Sequence, residues 1–309
     1  LIGLFGVAVA GGWELEAQLG GQFEAESHGI VNLSARSGGL QLALITDTLQ
    51  VRYDGREDRG RWWLAARGEY GAPGLVSTRW IDGAPSAEAS QLGYYAGPEG
   101  GYVRYGPKGT YAGLQGSVRY YGFKGLPDTV SVEPARPIAQ PELVLGWWTE
   151  GAELYLRGGV AVSPGTVSPG LHGVFKLHPT ARFTPVFELR AGVAQNTDII
   201  TKTRLGGLNP YVVPLAGAAW AEFWVEDYAA VRAGPRVGLG SHSVSAVVDA
   251  ASFDGRSALG VGGYAHLGFD GDDKVRFALD IGVGVAPVGV LRPARGWAGS
   301  SFVLGTVGF

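Results

Sequence analysis

Cysteine is absent from this chain of 309 residues, which excludes disulfides and thiolate metal sites outright. Methionine is absent too, position 1 included, so the expectation is a processed chain or a fragment. Charged residues make up 17%, below the roughly 25% of ordinary soluble domains. Lysine in particular is scarce. A net charge of -3 leaves no electrostatic footprint for nucleic acid or anionic lipid. Apart from the opening run, no segment nears the ~18 to 20 continuous apolar residues that a membrane helix needs. The opening "LIGLFGVAVAGG", with small residues at Ala8 and Ala10, reads as a secretory signal-peptide remnant over 1–10. A buried first strand is the alternative.

What the chain has in abundance is glycine, 52 residues, with 13 Tyr and 9 Trp. Glycine at that density suits helices poorly, because each costs up to ~1 kcal/mol against Ala in a helix interior. The apolar period is two almost throughout. Leu114, Val118 and Tyr120 fall opposite Gln115, Ser117, Arg119 and Tyr121. Leu154, Leu156, Val160 and Val162 oppose Glu153, Tyr155 and Arg157, and Phe187, Leu189, Ala191 and Val193 oppose Glu188 and Arg190. "AAWAEFWVED" reads the same way, Phe223 and Val225 against Glu222 and Trp224, and "KVRFALDIGVGVAP" is the cleanest case. Such alternation predicts strands with one apolar face, between about 12 and 16 of them, the uncertainty lying in 72–112 and 196–214.

Turn chemistry separates the strands at "DGREDRG" (54–60), "TEG" (149–151), "SPGTVSPG" (163–170) and "FDGDDK" (269–274), where Asp-Gly and Pro-Gly supply hairpin dihedrals. Longer polar connections are expected at 81–90, 124–141 and 287–299. No linker interrupts the pattern, so 11–309 reads as one domain.

A soluble sandwich also alternates, and what decides between the two is the composition of each face. The polar face mixes Arg, Glu, Tyr, Trp, Gln and Gly, which suits a crowded lumen. The apolar face carries Leu, Val, Phe and Ala, with aromatics near strand ends at Trp62, Tyr70, Tyr120, Trp147 and Phe309, where the aromatic girdles of a membrane barrel fall. Only a closed barrel lets strands cross hydrocarbon with every amide paired. The fold expected is therefore all-β, a single antiparallel transmembrane β-barrel. Its last strand, "SSFVLGTVGF", pairs with the first and ends on an aromatic, similar to the terminal signal of bacterial outer-membrane proteins. That implies the outer membrane of a double-membraned bacterium, contact with its lipids, and recognition of the strand ending in Phe309 by the barrel-assembly machinery.

The last third carries a second likeness. "RLGGLNPYVVPLAG", "AAWAEFWVEDYAAVRAGPRVGL", "VSAVVDAASFDG", "ALGVGGYAHLGF", "RFALDIGVGVAP" and the terminal strand follow an order that resembles the C-terminal barrel of the bacterial surface antigen superfamily, the barrel-assembly and two-partner-secretion translocators. Gly206 and Gly207 match its Gly-Gly turn, Glu222 and Arg232 its lumen strands, and Asp249 its later Asp. The resemblance implies a long loop folding into the lumen on an Arg-Gly-aromatic tip. Here the tip is "VPLAG", with Pro214 and Gly217 and no Arg.

The chain reads as non-enzymatic, with no cofactor and no metal. His242 beside Ser241 and Ser243, with Asp249 downstream, does not make a triad by spacing alone, and a surface hairpin is the simpler reading. His172 and His178 lack a third metal ligand; His28 and His266 are ordinary polar-face residues. The candidate binding surface is the lumen, lined by Arg119, Arg157, Arg190, Arg232, Arg236, Glu153, Glu188 and Glu222, with Glu69 beside them. Such rows can line a conduction path or form a ladder of ion pairs that plugs it. The functional expectation is a transport or assembly barrel, a pore or translocator without periplasmic domains. The alternatives are a structural or adhesion barrel with a plugged lumen, and a barrel enzyme acting on lipid or peptide.

Overall fold

The computed structural model describes residues 13–308 except 24–26, 47, 71–78, 82–83, 87–90, 126–133, 178–181, 199, 209–212, 219–221, 271–274 and 288–296. The expected signal remnant, His178 and Phe309 thus lie outside the described residues. The strands run β1 Glu14–Phe23, β2 Ser27–Ser37, β3 Leu40–Ile45, β4 Thr48–Glu57, β5 Gly60–Tyr70, β6 Arg79–Ile81, β7 Ala84–Ser86, β8 Gln91–Tyr105, β9 Thr110–Gly125 and β10 Arg136–Trp148. They continue as β11 Ala152–Ser163, β12 Thr166–Leu177, β13 Phe183–Ala194, β14 Thr203–Leu205, β15 Phe223–Val225, β16 Tyr228–Leu239, β17 His242–Phe253, β18 Arg256–Asp270, β19 Arg276–Pro287 and β20 Trp297–Gly308.

Sixteen of these strands close one antiparallel barrel; β6 pairs with β7, and β14 with β15, as two small separate sheets. Closure is made by β1 on β20, in register from Glu16 with Gly308 to Phe23 with Ser301. No strand of the barrel is left with an open edge, which is the condition for strands in hydrocarbon. Among the described residues no helix is long and apolar enough to cross a membrane.

The faces divide as alternation requires. Leu64, Leu114, Val118, Leu143, Leu171, Val193, Val261 and Val283 are each more than half exposed on the outside, with no protein packed on them. Arg119, Arg157, Glu188, Arg190, Arg232 and Asp249 point inward and form ion pairs. A closed cylinder whose outer belt is apolar and whose interior is ionic is an inside-out protein by aqueous standards, and it matches the design of a transmembrane barrel. Outward aromatics sit toward the strand ends: Tyr70, Tyr94 and Tyr120 toward one rim, Tyr102, Phe183, Phe269 and Phe277 toward the other.

The two rims differ. Tight turns at 38–39, 58–59, 106–109, 149–151 and 240–241 mark one, whereas β5, β9, β13 and β19 end, and β8, β10, β16 and β20 begin, at the other, joined there by the longer connections of the sequence. The hairpin expected within 54–60 turns at Asp58 and Arg59 rather than at its Asp-Gly pair. Asp54-Gly55 is no turn: β4 runs on to Glu57, and Asp54 turns inward to accept from Arg52 and Arg61 at 2.8 and 2.9 Å. A strand in place of 136–141 shortens the expected connection there, with Pro137 and Pro141 on the outer face of β10.

Candidate functional site

The segment 195–227, between β13 and β16, does not stand off the rim. Its residues Leu205, Leu208, Leu215, Ala216 and Ala218 are at most 1% exposed. Leu205, Val213, Leu215, Ala218, Phe223 and Val225 pack on the inward residues Tyr228, Ala230, Ala251, Phe253, Ala258 and Ala286 of the wall. Leu208 and Ala216 join Ile30, Phe302 and Leu304, with Trp224 and Tyr264 against them. Burying a Leu side chain is worth about 1.5–3 kcal/mol, so several such residues hold the segment inside the cylinder. The strand expected at "AAWAEFWVED" is therefore corrected: 219–221 lie outside the described residues, and Phe223–Val225 forms part of the inward hairpin β14–β15. Its apolar side faces protein, not lipid. Glu222, expected on a wall strand, is buried within this segment instead.

Backbone geometry shapes the tip. Gly206 and Gly207 adopt φ of 126° and 85°, a turn open to glycine and few other residues, and the Leu215 amide donates to Gly207 O at 2.9 Å. At the tip, the Ala216 amide donates to Asp249 Oδ2 at 2.9 Å, and the Gly217 amide donates to Ser300 Oγ at 3.2 Å. Asp249 is 1% exposed. Arg232 of β16 grips the same carboxylate with Nε and an Nη at 2.7 and 2.8 Å and lies over the Tyr264 ring, 4.6 Å from its centre. A bidentate pair of this kind is directional and strong once desolvated. The arginine at this contact thus comes from the wall, and the tip contributes its amides.

The wall accommodates the tip by having no side chains there. A Cβ on Gly260 would come within 2.1 Å of Ala216 O, and one on Gly284 within 2.9 Å of Ala216 Cβ. Other glycines of the wall divide by environment. Gly122 lies under the Tyr94 ring and Gly192 beside His172 and Tyr228, whereas Gly113, Gly116 and Gly159 are crowded mainly by neighbouring backbone and Gly158 by Leu171.

At its entry the segment is tied to β10, which lies beyond β12 and β11 from β13. Arg136 donates to Asp198 at 2.6 Å, and the Ile200 and Thr201 amides donate to the same carboxylate. Burial alone would raise the Asp198 pKa, but the Arg136 guanidinium and these donors outweigh it and hold the carboxyl below its ordinary 3.8. Ile200 packs on Tyr95, Tyr121, Ile138 and Ala161. Neither Asp198 nor Ser300 stood out in the sequence. Asp198 lies outside any motif and Ser300 is one serine at the start of the terminal strand, and only the fold brings them to the segment.

Of the lumen residues expected from sequence, Arg119, Arg157, Arg190, Arg232, Arg236, Glu153 and Glu188 face inward, as does Glu69. Most are tied to other inward side chains. Arg119 pairs with Glu99, which also accepts from Gln50 at 2.9 Å. Arg157 pairs with Glu142 at 3.5 Å, Arg190 with Glu188, and Arg236 donates to Ser243 at 3.0 Å. Glu69 accepts from Thr48 at 3.0 Å. His172 also faces the lumen, its ring 6.2 Å from that of Tyr228. His242 faces outward against the Phe269 ring, 5.5 Å away, while Asp249 faces inward on the same strand, committed to Arg232. The two cannot act on one substrate. His266 pairs with Asp280 at 2.7 Å. Among the described residues no three His, Asp or Glu side chains are grouped as a metal site.

With this geometry the comparison with solved structures is direct. The barrel resembles those of CdiB and BamA. CdiB from Acinetobacter baumannii superposes with a TM-score of 0.61 at 10% identity, over 97% of this chain and 60% of that one. BamA from Haemophilus ducreyi, in a structure lacking POTRA domains 1–3, gives 0.67 at 8% identity, over 96% and 70%. CdiB from Escherichia coli gives 0.62 at 11% identity, over 98% and 64%. The chain therefore spans about three fifths to seven tenths of those structures' lengths, and the likeness is one of fold. No family model and no curated protein matches the sequence.

Proposed function

We propose that this is an outer-membrane barrel of the transport or assembly kind, a pore or translocator whose lumen is closed by the segment 195–227 and opens when that segment moves. The reading rests on one observation: the tip is held by a small set of polar contacts centred on Asp249, in a lumen lined elsewhere by ion pairs and by the apolar contacts of the segment. A structure that only needed filling could use an apolar plug throughout. A polar latch on a wall of glycine can be released without tearing apart the sheet. The long-loop rim would face outside the cell and the short-turn rim the periplasm, the disposition usual in such barrels. The strand ending in Phe309 would deliver the chain to the assembly machinery.

The competing reading is a structural or adhesion barrel with a permanently plugged lumen, favoured by the density of paired charges across the interior. Planar-bilayer conductance separates the two. Wild-type barrels should show rare, brief openings, and Gly260→Leu, which drives a side chain into Ala216, should show stable open steps. If both variants migrate as folded, heat-modifiable barrels and neither conducts, the transport reading fails and the plugged scaffold stands.

A further inference from the structure

Where β18, β19, β20 and β1 follow one another, an open recess of about 290 Å³ lies on the outer surface, toward the short-turn rim. Two rows of cross-strand neighbours define it. In one, Phe269, Phe277, Val307 and Ala17 stand side by side. In the next, Leu279 and Leu19 flank Gly305. The floor is low at Gly305 and Ala17 and the walls are high at the rings and leucines, all of them apolar.

Glycine is not demanded there by the backbone. A Cβ at Gly305 would meet only Leu19 O, at an ordinary 3.6 Å. On the inner face of the same seam, by contrast, Gly20 would bring a Cβ to 1.9 Å from Val303 O, so that glycine is fixed by crowding. The gap at Gly305 is open space on an apolar surface, and an unfilled apolar gap forfeits the dispersion contacts of its lining. The occupant has to be apolar, slender and available on the outer face of the barrel.

We propose that this recess binds one acyl chain of a membrane lipid, laid across the closing seam so that it touches β1 and β20 together. The inference rests on the barrel standing in a bilayer, and not on whether it conducts. Continuity with the apolar belt argues for this occupant. Phe269 and Phe277, about half exposed, lie toward the short-turn rim, at the level where aromatic girdles meet headgroups. A lipid headgroup can rest above them with its chain running down between the rings and Leu19. A chain in this position shields the seam from both sides of the β1–β20 pairing and favours the closed cylinder.

The test uses the whole barrel, stripped of lipid in detergent and mixed with dipalmitoyl phosphatidylethanolamine, with retained lipid counted by native mass spectrometry. Wild type should keep one lipid under activation that removes the rest. Gly305→Leu fills the recess and should lower retention about tenfold. Gly263→Leu makes the same change on the outer face of β18, where a Cβ has room at 3.8 Å, and should retain lipid as wild type does. Heat-modifiable migration confirms that each variant is folded. Equal retention by the two variants, no retained lipid in wild type, or a doubled mass showing a second copy on this surface would overturn the proposal. A barrel that keeps its lipid but never conducts would sink the transport reading and leave this one intact.

Discussion

Asp249 accepts from donors of two origins, the Arg232 guanidinium on the wall and the Ala216 amide on the inward segment. Removing it strands a largely buried arginine and an amide at once. Asp249→Ala should therefore destabilise the folded barrel by about 3–5 kcal/mol, measured as a lowered urea midpoint in detergent micelles, and a change below about 1 kcal/mol would show that the carboxylate is not structural. Asp198 behaves differently because it sits on the loop at the mouth. Its pKa is depressed in the folded state, so the stabilisation it brings is present above about pH 4 and disappears as pH falls through the lower folded value. Openings recorded in bilayers should accordingly lengthen below pH 4 in wild type, and Asp198→Asn should lose that response. Of these two carboxylates only Asp249 was legible in the sequence, because it falls at its place in a recognisable strand order. Asp198 pairs with Arg136 across 62 residues of chain, a distance no local pattern encodes.

Among the elements, the inward segment is where alternation misleads. Phe223 and Val225 obey period two as faithfully as Leu189 and Val193, yet the first pair is buried in protein and the second is exposed on the outer belt. Period two reports that one face is apolar and is silent about what covers it. The same holds for turns: Asp54-Gly55 has hairpin chemistry, but Arg52 and Arg61 recruit the carboxylate and keep β4 straight through it. Barrel strands such as β11, β13 and β19 were legible because both faces are uniform along their length. Deleting 203–225 should leave these strands paired. The expected outcome is a barrel that still shows heat-modifiable migration and conducts in persistent steps; loss of heat-modifiability would instead make the segment part of the folding core.

At the scale of the whole molecule, many of the lumen's charges are tied in ion pairs between neighbouring strands or along one strand: Arg52 and Asp54, Arg119 and Glu99, Arg157 and Glu142, Arg190 and Glu188. Each charge is neutralised close to where it arises, so the lumen has little single-sign field with which to select ions. A barrel opened by deleting the segment should thus discriminate weakly between potassium and chloride, and a reversal potential within a few millivolts of zero under a salt gradient checks it. Strong selectivity would mean that the pairs rearrange once the segment leaves.

The pairing of β1 with β20 in an even-numbered ring also brings Glu14 and Gly308 to the same rim, on adjacent strands. A short linker could join those ends, and the cylinder could be cut instead at the two-residue turn 254–255 on the opposite rim. Such a circular permutant would have every rung of the ladder available to it, with its new termini exposed to the other compartment.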